Sequence, residues 1–169
     1  MTDAIHSRDV AGPATSESGH QLAAIARDMI DDGSYMTLAT ADHAGRPWAS
    51  PVWYAQAGSR EFFWVSAPET RHSRNLSGRP QTGIVIFDSR APIGTGQAVY
   101  LEAVAGEVTG DDAVRGIEVF SARSQAQGGH AWSLADIQAP ARLRLYRAIA
   151  SEVFVLNGRD QRIAVTMTE

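Results

Sequence analysis

The stretch Val65-Ser66-Ala67-Pro68-Glu69-Thr70-Arg71-His72-Ser73-Arg74-Asn75-Leu76 gathers hydrogen-bond donors where a strand gives way to a helix. An apolar run ends at Ser66, and a short helix is predicted from Thr70 to Leu76. Thr70 suits its N-cap, Gly78 its stop, and Pro80 bars any continuation. The free amides of a helix's first turn favour an anion. The Thr70 hydroxyl, the Arg71 guanidinium and the His72 ring can add donors at the same point, while Arg74, one turn on, can face it or water. Arginine's planar fork matches phosphate oxygens, so these residues fit a monophosphate cradle made without lysine. They fit as well a solvated helix start with ordinary caps and surface arginines, and spacing alone does not choose.

A second segment, Trp48-Ala49-Ser50-Pro51-Val52-Trp53, is expected beside the strand that ends at Ser66. Proline inside a strand leaves backbone groups unpaired, and a flat heterocycle can use them. Trp53 and Tyr54 offer aromatic area there, or simply fill the core. Other constellations lack parts. Gly94-Thr95-Gly96 shares two glycines with a dinucleotide fingerprint, but the third is missing and a strand follows instead of a helix. His6, His20, His43, His72 and His130 show no metal-ligand spacing. Ser50 and Ser66 have neither an elbow motif nor a histidine base placed for nucleophilic hydrolysis.

The elements that must position these groups are legible from periodicity. Residues 1–18 are rich in Ser, Thr, Ala, Gly and Pro and read as a flexible N-terminal tail, with 19–169 as one domain. Leu22, Ile25, Met29 and Ile30 form one helical stripe over Gln21–Ile30, stopped by Gly33. The period then becomes two: Tyr35–Thr40, a turn at Asp42-His43-Ala44-Gly45, Trp48–Ala55 with Pro51 marking an edge or bulge, then Glu61–Ser66 as the third strand of a meander. Thr82–Phe87 reads as a strand buried on both faces, and Ala98–Thr109 as a long strand bent at Gly106. Asp111 and Asp112 open a helix burying Val114, Ile117 and Phe120. Ser121–His130 reads as a surface loop or lid, and Ser133 as another helix start. Arg142–Ile149 and Glu152–Leu156 follow, then an Asn157-Gly158 two-residue turn into Gln161–Met167. Six or seven strands with two to four short helices are mainly β, and a closed or half-closed barrel hides their edges.

Composition narrows the chemistry. The 169 residues include no cysteine, and all fifteen basic residues are arginine. Disulfides, thiolate catalysis, Schiff-base lysines and Gly-Lys-Ser phosphate loops are therefore excluded. A net charge of −4 without a basic block argues against nucleic acid as a partner. No run nears the ~18 apolar residues of a membrane span, and the start lacks a signal pattern, so no membrane partner and a cytoplasmic location are expected.

The ordered set Met36–Thr40, Gly45–Trp53 and Thr70–Leu76, with Val99–Val108 as a long later strand, resembles the pyridoxamine 5′-phosphate oxidase-like superfamily over about 25–154. The resemblance implies a split β-barrel and a homodimer with FMN at the subunit interface. It places Thr70, Arg71 and His72 at the cofactor phosphate, and Ser50, Pro51, Val52, Trp53, Val65 and Ser66 at the ring and ribityl chain. Gln97 lies within one residue of a family glutamine that meets the cofactor. The oxidase proper has an arginine and a lysine where Ser50 and Ala55 stand, a lysine where His72 stands, and a substrate-binding arginine motif not recognisable after Arg142. The implied activity is therefore a flavin-dependent oxidoreduction of another small molecule. A deazaflavin coenzyme in place of FMN, with Arg74 or Arg79 on its acidic tail, and a non-catalytic flavin-binding protein are the alternatives.

Overall fold

The computed structural model describes residues 10–11, 16–157 and 161–167, with side chains from residue 19. Helix α1 (Ser16–Asp32) precedes a hairpin of β2 (Tyr35–Ala41) and β3 (Pro47–Trp53). The chain continues through β4 (Ala55–Ala57), β5 (Glu61–Ser66), helix α2 (Arg71–Gly78), β6 (Gln81–Phe87) and β7 (Ala98–Glu107). Helices α3 (Gly110–Ala126) and α4 (Leu134–Ile137) lead into β8 (Arg144–Leu156) and β9 (Arg162–Ala164). Of the tail expected at 1–18, residues 1–9 and 12–15 lie outside the described residues; Val10–Ala11 form β1, parallel to β9, and α1 begins at Ser16.

The strands make one curled, largely antiparallel sheet, β1-β9-β8-β7-β6-β2-β3, with β5 joined to the far side of β8 and β4 to β5. The meander expected for the first three strands is not what forms. β3 pairs with β2, while β5 pairs with β4 and β8, so no ladder joins β3 to β5 among the described residues. The run Pro47–Ala57 leaves one ladder and enters another at Tyr54, and the barrel is split there. Pro51 stands on the edge strand β3, where its missing N–H costs no ladder bond.

The barrel interior holds Met36, Leu38, Phe62, Trp64, Val99, Leu101, Val153 and Val155, closed at one end by Ala23, Ala26 and Ile30 of α1. Gly33 ends that helix where the Tyr54 hydroxyl lies only 2.7 Å from the position a Cβ would take. A second core sits outside the barrel, where Phe63 and Leu145 pack under Ala113, Ile117 and Phe120 of α3. Strand β5 is thus buried on both faces, which explains its unbroken Phe62-Phe63-Trp64-Val65 run. The both-face burial expected of Thr82–Phe87 does not hold: Thr82, Ile84 and Ile86 face inward, whereas Phe87 is 53% exposed.

Other expectations shift for local reasons. Ala113, not Val114, faces the second core, because the apolar arc of α3 runs through Ala113, Gly116, Ile117 and Phe120. The segment 121–126 continues α3 instead of looping. The irregularity in β7–β8 falls between Glu102 and Ala103, where Ser151 is the extra residue on β8, so 144–156 is one strand and Gly106 stays paired. The last hairpin closes between Asn157 and Gln161, with N–H to carbonyl contact at 2.9 Å. That leaves residues 158–160 between them where a two-residue turn was expected, and Gly158 lies outside the described residues. The Ser133 capping box at α4 forms as expected. No described helix is long and apolar enough to cross a membrane.

Helix α3 is held at its start by ionic contacts. Arg115 grips Glu61 of β5 at 2.6 and 2.8 Å, and Arg147 of β8 reaches Asp112 at 3.0 Å. The Arg115 donors keep the Glu61 carboxyl below its usual range. Packing dominates nonetheless, since half-exposed pairs contribute at most about 1 kcal/mol each. A Cβ on Gly116 would stand 2.6 Å from the Phe63 ring and 2.9 Å from Leu145. Both neighbours are buried and cannot swing away. Gly116→Ala should therefore lower unfolding free energy by about 1–3 kcal/mol despite its better helix propensity. Urea denaturation would show this, and unchanged stability would mean that α3 sits further from β5.

Candidate functional site

The split between β3 and β5 is bridged by a side chain where a ladder is missing. His72, in the first turn of α2, is 8% exposed. Its Nδ1 lies 3.2 Å from Ser50 Oγ on β3, and its Nε2 lies 2.9 Å from Ser66 Oγ at the end of β5. Thr70 Oγ1 stands 3.2 Å from the same Nε2 and also contacts the Ala67 carbonyl and Ser73 Oγ. Thr70 is the N-cap residue, but its hydroxyl makes no capping bond to the helix backbone. Burial holds the His72 pKa below its usual value, so the neutral ring is favoured. Its three hydroxyl partners, Ser50, Ser66 and Thr70, satisfy it without charge.

From this bridge the contacts run outward. Trp48 Nε1 donates to Ser50 Oγ at 2.9 Å, and the Arg71 guanidinium carbon lies 4.4 Å from the Trp48 ring centroid. Arg71 does not join Thr70 and His72 at one point, as the sequence suggested. It lines a separate surface basin of about 460 Å³ with His43, Arg46 and Arg74. Arg46 is held by Asp42 at 2.8 Å. Neither Arg71 nor Arg74 has a carboxylate partner among the described ion pairs. Helix α2 therefore divides two environments: a neutral cleft on the His72 side and an arginine basin on the Arg71 side.

The cleft has a volume of about 500 Å³, within the range of small-molecule sites. Pro51, Val52 and Trp53 of β3 line one side, Val65, Ser66 and His72 another, and Phe120, Ser124, His130, Trp132 and Leu143 the rest. Ser50 lies just behind this lining through its bond to His72. The structure thus brings together Ser50, Pro51, Val52, Trp53, Val65, Ser66, Thr70 and His72. Arg71 is set apart beyond Trp48, and Gln97 is exposed in the β6–β7 connection, outside the residues lining this cleft. Tyr54 is not part of the cleft either. It is fully buried, donates to the Ile30 carbonyl at 2.6 Å, and burial raises its pKa to about 12.

The wall formed by Phe120, His130 and Trp132 was not singled out from sequence as ligand-facing. Its only local signal is the His130-Ala131-Trp132 pair of rings behind two glycines, and nothing in that spacing says which strand it will cover. Burying Ile117 and Phe120 under α3 brings the end of the helix to the split.

A half-closed barrel opened at β3/β5, with a neutral cleft at the opening and an arginine basin beside it, defines a split β-barrel with a candidate site at the split. Residues 22–157 match the pyridoxamine 5′-phosphate oxidase family profile, and the chain belongs to that family. Among solved structures it is similar to HutZ, a haem storage protein of Vibrio cholerae, at 23% identity and TM-score 0.63, covering 79% of this chain and 94% of that one. A haem-binding protein of Mycobacterium smegmatis is also 23% identical, TM-score 0.67, over 86% of this chain and 57% of that one. An F420 reductase shares 14% identity at TM-score 0.55, over 75% of this chain and 94% of that one. No curated protein matches the sequence. At these identities the structural likeness speaks for the fold.

The lowered pKa of His72 has a signed consequence. The unfolded chain binds a proton at His72 near pH 6.5, the folded chain only at lower pH, so stability falls as pH drops through that window. Wild type should lose denaturation midpoint between pH 7.5 and 5.5 by more than His72→Gln does. Equal losses in parallel urea titrations would show that His72 is not a neutral buried bridge.

Proposed function

We propose that the chain is an FMN-binding oxidoreductase acting on a small molecule, with the flavin ring seated in the cleft between β3 and β5. The observation that carries this reading is the unpaired facing edges of Pro51–Trp53 and Val65–Ser66 across a neutral cleft of about 500 Å³. Edge backbone groups of this kind can hydrogen-bond a flat heterocycle, and Trp53 supplies an aromatic flank. When bound, the flavin supplies the hydride chemistry. The chain's own part is to bind, orient and exclude water, and no acid–base dyad is needed.

The phosphate is assigned to Arg71, with Arg74 as a second cation on the same basin. His72 takes the place of a family lysine but contributes no charge, so Arg71 bears the electrostatic part of the binding. Ser50, Ser66 and His72 hold the two strand edges at a fixed separation. Gln97 would have to act from another subunit. Members of this family commonly form dimers and bind small ligands. The outer face of the sheet exposes Tyr35, Phe87, Val104 and Ile149 with no described element over them, and we assign it to a second copy of the chain.

One observation favours a second reading. Arg46, Arg71 and Arg74 share a basin larger than one phosphate requires, which suits a deazaflavin coenzyme with an acidic tail. Titration with FMN and with the deazaflavin coenzyme, followed by cofactor fluorescence, separates the two. Arg71→Ala should weaken FMN binding by about 10- to 100-fold, the worth of charge-assisted phosphate contacts. Arg74→Ala should matter more for the deazaflavin. Binding of haemin in preference to both would replace the flavin reading with the ligand of the haem-binding neighbours.

The dimer has its own check. Phe87→Asp with Tyr35→Asp should yield a monomer in sedimentation velocity where the unaltered chain is a dimer. An unaltered chain that sediments as a monomer would refute the assignment of this face.

A further inference from the structure

We propose that the cleft wall formed by the end of α3 and the segment after it receives an uncharged, flat, conjugated substrate and rejects a phosphorylated or carboxylated one. The inference rests on the cofactor reading above, because it takes the β3/β5 side of the cleft as the cofactor's.

The first support is a chain of rings in mutual contact. Trp53 and Phe120 meet edge to face at 4.8 Å and 87°, Phe120 and Trp132 at 5.3 Å and 81°, and His130 lies 4.4 Å from Trp132 at 35°. The second is that this segment is tied down. Ser124 Oγ donates to the His130 carbonyl at 2.9 Å, the Trp132 N–H to Ser121 Oγ at 2.8 Å, and Trp53 Nε1 to Gln127 Oε1 at 2.9 Å. Rings fixed in this way form a preorganised aromatic wall, so little ordering is left to be done on binding.

The third support is charge. Among the described residues no arginine and no carboxylate lines the cleft, and the titratable groups that line it are His72, occupied by hydroxyls, and His130. An anionic group brought against this wall would lose its water without gaining a cation. The arginine that α3 could have offered is committed elsewhere. Arg123 donates through Nη2 to the carbonyls of Asp31 and Gly33, and its guanidinium carbon lies 4.9 Å from the Tyr54 ring. It ties the end of α1 to α3, and turning it toward the cleft would strip those carbonyls.

The test is calorimetric titration of the cofactor-loaded protein, at pH 7.5, with 2-naphthol and with 2-naphthyl phosphate, which share a ring system and differ in charge. The naphthol should bind at least about tenfold more tightly than its phosphate ester. Trp132→Ala should weaken it about tenfold, the scale of a lost aromatic contact, and leave cofactor affinity within about twofold. His130→Ala, at an exposed side chain, should weaken naphthol about threefold and guards against misfolding of the Trp132 variant. Equal or tighter binding of the phosphate ester overturns the proposal, as does an equal loss of cofactor and naphthol in either variant. If neither flavin nor deazaflavin binds, the same titration is run on the cofactor-free chain. Naphthol binding lost in Trp132→Ala then upholds the wall while the cofactor reading falls, and binding indifferent to both variants overturns the wall too.

Discussion

The run Pro47–Ala57 hydrogen-bonds to β2 with its first seven residues and to β5 with its last three, and one stretch of backbone cannot follow two diverging neighbours. The opening that results is the cleft. Paired strands lie about 4.8 Å apart and fill the space between them with ladder bonds. Here that place is taken by the imidazole of His72, which holds Ser50 on one side and Ser66 on the other. A neutral ring does this at little electrostatic cost, whereas a lysine in the same place would bring a buried charge to be matched. The bridge and the anion site are also linked in space, because Ser50 accepts from Trp48 and Trp48 carries Arg71 on its face.

The second constraint is that β5 serves two cores at once. Phe62 and Trp64 fill the barrel while Phe63 supports α3, so the strand beside the cleft is fixed from both sides. Gly116 lets α3 approach closely enough for this, and the Glu61–Arg115 pair sets its first turns. The consequence appears at the far end of the helix, where Phe120, Ser124 and the following His130 and Trp132 form the cleft's remaining wall. One face of the site is thus the edge of a sheet and the other the end of a helix, each anchored in a different core.

Periodicity located most elements because hydrophobic burial repeats with the geometry of helix and strand. The β2–β3 hairpin, the capping box at Ser133 and the helix Arg71–Gly78 behind Thr70 lie where local chemistry puts them. Structure departs from periodicity where burial depends on distant partners. Thr82–Phe87 looks like a two-faced strand, yet its outer face is only partly covered and leaves Phe87 exposed, while Glu61–Ser66 is the strand covered on both sides. Nothing within either segment distinguishes an apolar face that meets α3 from one that no described element covers. Val114 and Ala113 are likewise one residue apart, and the choice between them was made by Phe63.

Local sequence determined what can be said from short-range sterics and hydrogen bonding: caps, turns, the absence of lysine and cysteine chemistry, and donors gathered at Thr70-Arg71-His72. It also confined Pro51 to an edge or a bulge, because proline has no N–H to give a second neighbour, and the structure takes the edge. Tertiary structure alone decided which way those donors point. Adjacent helical residues project about 100° apart, so Arg71 and His72 could not share one target once β3 and β5 stood on the His72 side. It also decided that Tyr54 is core while Trp53 is cleft, and that Arg123 serves α1 and not a ligand. Those outcomes depend on contacts between different elements, up to 92 positions apart for Asp31 and Arg123, which no local pattern encodes.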